Sequence, residues 1–175
     1  MSAFFLLLIS VLIFQRLAEL QVAKRNTRTI IELGGYEVGG NHYKFIVLIH
    51  IGFFITLLAE VLLSEKRLPP YWPVPFCFFV LAQAFRYWCI TSLGAFWNTR
   101  IFVVPDTARI TKGPYRYIKH PNYLAVLIEF ISFPLIFGAY RTALVWTVIN
   151  YAFLRIIRIP AENKALQVFT PKDSP

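Results

Sequence analysis

Five apolar stretches, at about residues 2–22, 44–63, 72–93, 121–137 and 140–159, divide this chain. Each approaches the roughly 20 residues that a helix needs to cross the ~30 Å hydrocarbon core of a bilayer. With apolar residues at 57% and charged residues at 15%, little chain remains for a water-soluble domain. The stretches predict an all-α integral membrane protein: one domain over residues 1–175 with about five transmembrane helices. The first stretch lacks a basic start and a small-residue cleavage site, and Arg16 and Glu19 continue its helical pattern. It therefore reads as a retained span rather than a leader.

The net charge of +9 raises the question of a nucleic-acid partner. No basic tract with interleaved aromatics marks an exposed face, so no nucleic acid is expected. The basic residues instead sort by loop. One side collects Lys24, Arg25, Arg28 and Lys44, then Arg100, Arg109, Lys112, Arg116 and Lys119, then Arg155, Arg158, Lys164 and Lys172, against Lys66, Arg67 and Arg141 on the other. The asymmetry predicts an N-terminus outside and a C-terminus in the cytoplasm. Gly138 sets a tight hairpin between the last two spans. The 94–120 connection is long and ends in Pro and Gly punctuation, which suits an ordered interfacial segment. The glycine pairs in ELGGYEVGGN (32–41) read as turns.

Ionisable residues inside spans are expensive and ask for partners. Here they are Arg16, Glu19, Glu60, Arg86, Glu129 and Arg155, with Gln83 and Asn150 as polar company. Arg16 and Glu19 are spaced to pair on one helix face. Glu129 sits about 9 Å of helical rise deeper than Tyr123, and Arg86 or Arg155 are its candidate cations. A structural pair and a place in a substrate pocket both fit it. No metal site is expected: His42, His50 and His120 are scattered, and Cys77 and Cys89 lack zinc spacing. At about 18 Å apart on one helix, the two cysteines are also too distant to bridge. No phosphate loop or nucleophile elbow is present.

The segment GPYRYIKHPNY (113–123) stands at the threshold of the fourth span. Pro121 suits a first helical turn, where its missing N–H costs nothing. His120, Asn122 and Tyr123 then sit at a helix N-terminus, whose free N–H groups and dipole favour an anion. An interfacial belt accounts for Tyr115, Tyr117 and Lys119 equally well. At the far end Arg158 and Glu162 share a helical face, with Pro160 between them expected to distort the turn.

Taken together, LGAFWNTRI (93–101), GPYRYIKHPNYLAVLIEF (113–130) and RIPAENKAL (158–166) resemble the isoprenylcysteine carboxyl methyltransferase family of integral membrane enzymes. The resemblance spans roughly residues 80–166. It implies an S-adenosylmethionine-dependent methyltransferase whose cofactor site draws on Gly113, Tyr115, His120, Pro121, Asn122 and Tyr123. It further implies catalytic roles for Arg158 and Glu162, with Glu129 shaping the acceptor pocket. The implied acceptor is a lipidic carboxylate, enol or phenol. Small bacterial members that this chain resembles look like O-methyltransferases of lipidic products such as alkylpyrones made by type III polyketide synthases, while the family name points to prenylcysteine. The chain departs from the pattern at Lys119, where the family has arginine, at Asn163, where it has a second acid, and in a reduced aromatic tail, LQVFTPKDSP. The resemblance also implies a bacterial cell membrane, with the cofactor site facing the cytoplasm and membrane lipid as partner. Two rivals stay open: an NADPH-dependent membrane reductase of the sterol type, which shares the His-Pro-Asn-Tyr pattern, and a non-enzymatic membrane adaptor. No small-residue stripe specifies an oligomer.

Overall fold

The computed structural model describes residues 2–64 and 68–169; Lys66, Arg67, Lys172 and the end of the C-terminal tail, among the positions weighed above, lie outside them. The protein is an all-α integral membrane protein built from α1 (Ser2–Glu32), α2 (Gly40–Leu63), α3 (Pro73–Leu93), α4 (Pro121–Ile136), α5 (Tyr140–Phe153) and α6 (Ile159–Phe169). Four helical runs are long and apolar enough to cross a membrane: α1, α2, α3 and the continuous stretch Tyr140–Leu166. The fourth apolar stretch forms α4, whose 16 residues reach about 24 Å.

Local chemistry explains the boundaries. Pro121 occupies the first turn of α4, as its sequence position predicts. Pro134 sits near the end of that helix, and Gly138, at φ +70°, turns the chain into α5. In that left-handed region only glycine is unstrained, so the two helices form the expected antiparallel hairpin. Glu60 of α2 then caps α5 from outside the chain run: its carboxylate accepts the Thr142 N–H at 2.8 Å, the Thr142 hydroxyl at 2.7 Å and the Arg141 N–H at 3.2 Å. A carboxylate at a helix N-terminus satisfies orphan donors and the dipole together.

The core fills the hairpin end. Phe5, Phe53, Phe130, Phe133 and Phe137 are all fully buried, and Phe53 stacks on Phe130 at 4.3 Å between centroids. In lipid, helix association depends on such packing, because hydrocarbon surrounds both states. Trp146 of α5 lies on Gly52 of α2, where a Cβ would meet its ring at 2.1 Å.

The opposite, loop-rich end gathers the C-terminal turns of α1 and α3, the starts of α2 and α4, and α6. Here α1 runs ten residues past its apolar stretch, because its last turns hold the long connection. Asn26 donates to the carbonyls of Gly94 and Trp97, and Asn98 donates to the Ala23 carbonyl and the Thr27 hydroxyl. The connection is ordered, as expected, but it also carries a strand. β2 (Ile101–Val103) pairs antiparallel with β1 (Tyr36–Val38), Tyr36 facing Val103. The glycine turns flank β1: Gly34 and Gly39 both have positive φ. Between α5 and α6, Leu154–Arg158 forms one π-helical turn, with the Ile159 N–H bonded to the Leu154 carbonyl. Pro160 lacks an N–H and crowds the preceding turn, and widening that turn keeps the helix continuous.

Candidate active site

A cavity of about 440 Å³ opens between the helices at the loop-rich end and runs inward. Its volume falls in the ~300–1,000 Å³ range of ligand sites. Two polar levels line it, joined by an apolar wall.

At the rim, His120, Tyr123, Arg158 and Glu162 form one connected group. The Tyr123 hydroxyl donates to Glu162 Oε2 and accepts from Arg158 Nε at 3.1 Å. Arg158, buried at the end of the π-helical turn, also donates from Nη2 to the Thr99 carbonyl at 2.8 Å. Thus Arg158 and Glu162 meet through the Tyr123 phenol. The His120 ring stacks on Tyr123, places Nδ1 3.4 Å from Glu162 Oε1, and bonds Asn163 Oδ1 through Nε2 at 3.1 Å. Asn163, the departure from the family's second acid, therefore fixes the imidazole with an amide oxygen.

Deeper in, Glu19 accepts from Arg86 Nε at 2.9 Å and Nη2 at 2.6 Å, from Arg16 Nη1 at 2.5 Å and from Gln15 at 3.1 Å. Glu129 accepts from Arg16 Nη2, and from Gln83 at 3.0 Å. The i,i+3 pair read from the sequence is present. The cation of Glu129, however, is Arg16, not Arg86 or Arg155: Arg86 is occupied by Glu19, and Arg155 is exposed on the outer face. Glu129 does not itself line the cavity; it holds Arg16, which does.

The remaining candidates divide. Tyr115, Asn122 and Lys119 line the cavity with His120 and Tyr123, and burial pushes the Tyr115 phenol above its ordinary value, which keeps it a neutral donor. Gly113 and Pro121 shape the wall from behind. Gly113 has φ +56°, and a Cβ there would stand 2.0 Å from Ser92 Oγ. Pro121 is buried in the first turn of α4. Lys119 supplies its carbonyl, which accepts from Arg109 Nη2 at 2.7 Å. Arg109, Thr99, Asn98 and Trp97 line the cavity as well and were not named as site residues from the sequence, although Trp97, Asn98 and Thr99 lie within the motif LGAFWNTRI.

Several buried polar atoms around the cavity have no protein partner: Asn122 Oδ1, Trp97 Nε1, Asn150 Nδ2, Arg86 Nη1 and Arg16 Nε. Buried polar groups without partners are costly, so this lining suits a polar ligand. Leu20, Val47 and Ile51, from the apolar stretches of α1 and α2, line the cavity too and are themselves exposed.

Comparison with known proteins identifies the family. Residues 75–168 match the model of the isoprenylcysteine carboxyl methyltransferase (ICMT) family. The chain is 44% identical over 168 residues to the uncharacterised protein YpbQ of Bacillus subtilis, covering 96% of this chain and 99% of that one. It is 24% identical over 158 residues to an uncharacterised protein of Haemophilus influenzae, covering 90% and 91%. No solved structure matches it.

Proposed function

The chain belongs to the isoprenylcysteine carboxyl methyltransferase family, a membrane methyltransferase, and from that premise we propose that it moves the methyl group of S-adenosylmethionine to an oxygen of a lipidic acceptor. The observation that carries this reading is one cavity with a polar rim at the loop-rich end and an exposed apolar wall on the spans α1 and α2. A polar cofactor and a greasy acceptor need those two approaches.

S-adenosylmethionine supplies an electrophilic methyl on a sulfonium, so the protein's task is positioning and exclusion of water. Asn122 Oδ1 and Trp97 Nε1, both buried without partners, fit the polar parts of such a cofactor, with Tyr115 and His120 beside them. Arg158 offers charge to an oxygen nucleophile. Glu162 accepts the proton of a hydroxyl acceptor, relayed by Tyr123, whose OH already bonds both side chains. With a carboxylate acceptor there is no proton to take, and Glu162 then serves to hold Tyr123 and Arg158. The excess of Lys and Arg at the loop-rich end supports a rim that faces the cytoplasm of a bacterial cell. Alkylpyrones and prenylcysteine are the acceptor candidates.

The test is twofold. Purified protein titrated calorimetrically with S-adenosylhomocysteine and with NADPH should bind the first and not the second. Labelled S-adenosylmethionine incubated with the enzyme and total membrane lipid should yield a labelled lipid whose methyl is lost on ester or enol-ether cleavage. Binding of NADPH alone, or label on nitrogen or carbon, would sink the reading.

A further inference from the structure

The inner polar level of the cavity has a property that pairing alone does not require. It holds two arginines and two glutamates, so its formal charge is balanced. Both carboxylates are engaged by guanidinium and amide donors. The fully buried side-chain atoms left unpartnered at this level are donors: Arg86 Nη1, Arg16 Nε and, on α5, Asn150 Nδ2. Arg86 and Asn150 are 6% and 3% exposed, and both line the cavity. A network built only to neutralise itself would not leave N–H groups unmet in a buried site, where each costs free energy.

The level also has a defined depth. Asn150 lies eight residues before Arg158, roughly 12 Å of helical rise from the rim. Arg86 lies eight residues before Gly94, about the same distance from the end of α3. The donors therefore sit deeper than the rim, in the same cavity as the exposed apolar Leu20 and Val47.

We propose that Arg86 and Asn150 form the head-group site of the acceptor, and that the group they receive is an uncharged carbonyl-type oxygen. Balanced charge argues against a phosphate, whose burial would be uncompensated. An ammonium finds no free carboxylate. A carbonyl dipole matches donors in a neutral setting. The acceptor class is then a lipid carrying a carbonyl oxygen in addition to the oxygen that is methylated, a ketone, lactone, ester or amide at the polar end of an alkyl chain. Glu19 acts as a positioning residue: it grips the Nε–Nη2 edge of Arg86 and leaves Nη1 without a partner. This inference rests on the methyltransferase reading for the acceptor's identity as a substrate.

The experiment uses the full chain in lipid nanodiscs and three tritiated probes of equal chain length: methyl tridecyl ketone, pentadecane and pentadecylamine. Binding is read by scintillation proximity with empty nanodiscs subtracted, and S-adenosylhomocysteine binding is measured on the same preparations. Wild type should hold the ketone about tenfold more tightly than the hydrocarbon or the amine, the scale of one or two buried hydrogen bonds. Asn150→Leu should lose about fivefold in ketone affinity with the hydrocarbon unchanged. Arg86→Lys, which keeps a charge for Glu19 but has no Nη1, should do the same. Either variant that still binds S-adenosylhomocysteine yet keeps the full ketone preference overturns the proposal, as does a wild type that prefers the amine or makes no distinction. A wild type that prefers the ketone but ignores S-adenosylhomocysteine supports the donor site and counts against the methyltransferase reading.

Discussion

The inner and rim levels of the cavity use the same residue types to opposite ends. In the inner level Glu19 and Glu129 are each gripped by at least two donors, and every member is mostly buried. At the rim Glu162 keeps a side chain 28% exposed, and its hydrogen-bond partners are a phenol and an imidazole rather than a guanidinium. The first is organised to hold α1, α3 and α4 together. The second leaves its carboxylate and its arginine one shared hydroxyl apart, free to act on something else. The lesson is that a buried ionic cluster in a membrane need not be the reacting centre, although it attracts attention first.

The strongest way to break this contrast is to remove a rim group. Arg158→Ala should lower methyl transfer by a factor of about 10²–10³, the usual result of deleting a positioned donor from a preorganised site. Its loss of thermal stability in detergent should be smaller than that of any inner-level carboxylate variant. If Arg158→Ala keeps wild-type turnover, the rim is not the reacting centre.

The inner level should answer in stability. Glu129→Leu leaves two buried arginines, Arg16 and Arg86, to share Glu19 and should cost about 3–5 kcal/mol, whereas Arg16→Met combined with Glu129→Leu should recover much of it. A double-mutant cycle of unfolding midpoints measures the coupling. Glu129→Gln, which keeps volume and one acceptor oxygen, should leave the acceptor KM and turnover within about twofold, since Glu129 does not line the cavity. A large rise in KM with stability intact would move Glu129 into the pocket itself.

How much of this was legible beforehand follows from the range of the interactions. Pro121 at the start of α4 and Gly138 at the hairpin are local, and the sequence showed both. The three residues of β1 meet β2 across 65 positions, and strands that short carry no periodicity to read. The partner of Glu129 was misread for the same reason: Arg16 is 113 residues away, its spacing had already matched it to Glu19, and cations on different helices cannot be ranked without packing. The rim residues were visible only as ordered motifs, and the hydroxyl that joins Arg158 to Glu162 needed both helices in place. Asn163 looked like a lost acid and is a histidine's partner.

Behind the rim, Gly113 tests whether the wall matters as much as the groups on it. Gly113→Ala places a Cβ against Ser92 in a left-handed backbone conformation, which should cost about 1–3 kcal/mol. Because the strain falls on the segment leading to Tyr115 and His120, S-adenosylhomocysteine affinity should fall along with the unfolding midpoint. A variant that is destabilised but binds normally would show that the wall is decoupled from the rim.

Lys119 gives the smallest and most discriminating effect. It occupies the position where the family carries arginine, yet it is exposed, and the bond through which it joins the site is made by its carbonyl to Arg109. Any residue that keeps the backbone in place supplies that carbonyl. Lys119→Ala should therefore change cofactor affinity and turnover by about twofold at most, the scale of an ordinary surface substitution. Arg109→Ala removes the donor and should cost more, by loosening the segment that leads into His120. If Lys119→Ala instead proves as damaging as Arg158→Ala, the ammonium reaches the ligand, and the rim's charge comes from two cations rather than one. The two single variants, assayed side by side for S-adenosylhomocysteine affinity across ionic strength, separate these cases, since a charge reaching the ligand is screened by salt and a backbone brace is not.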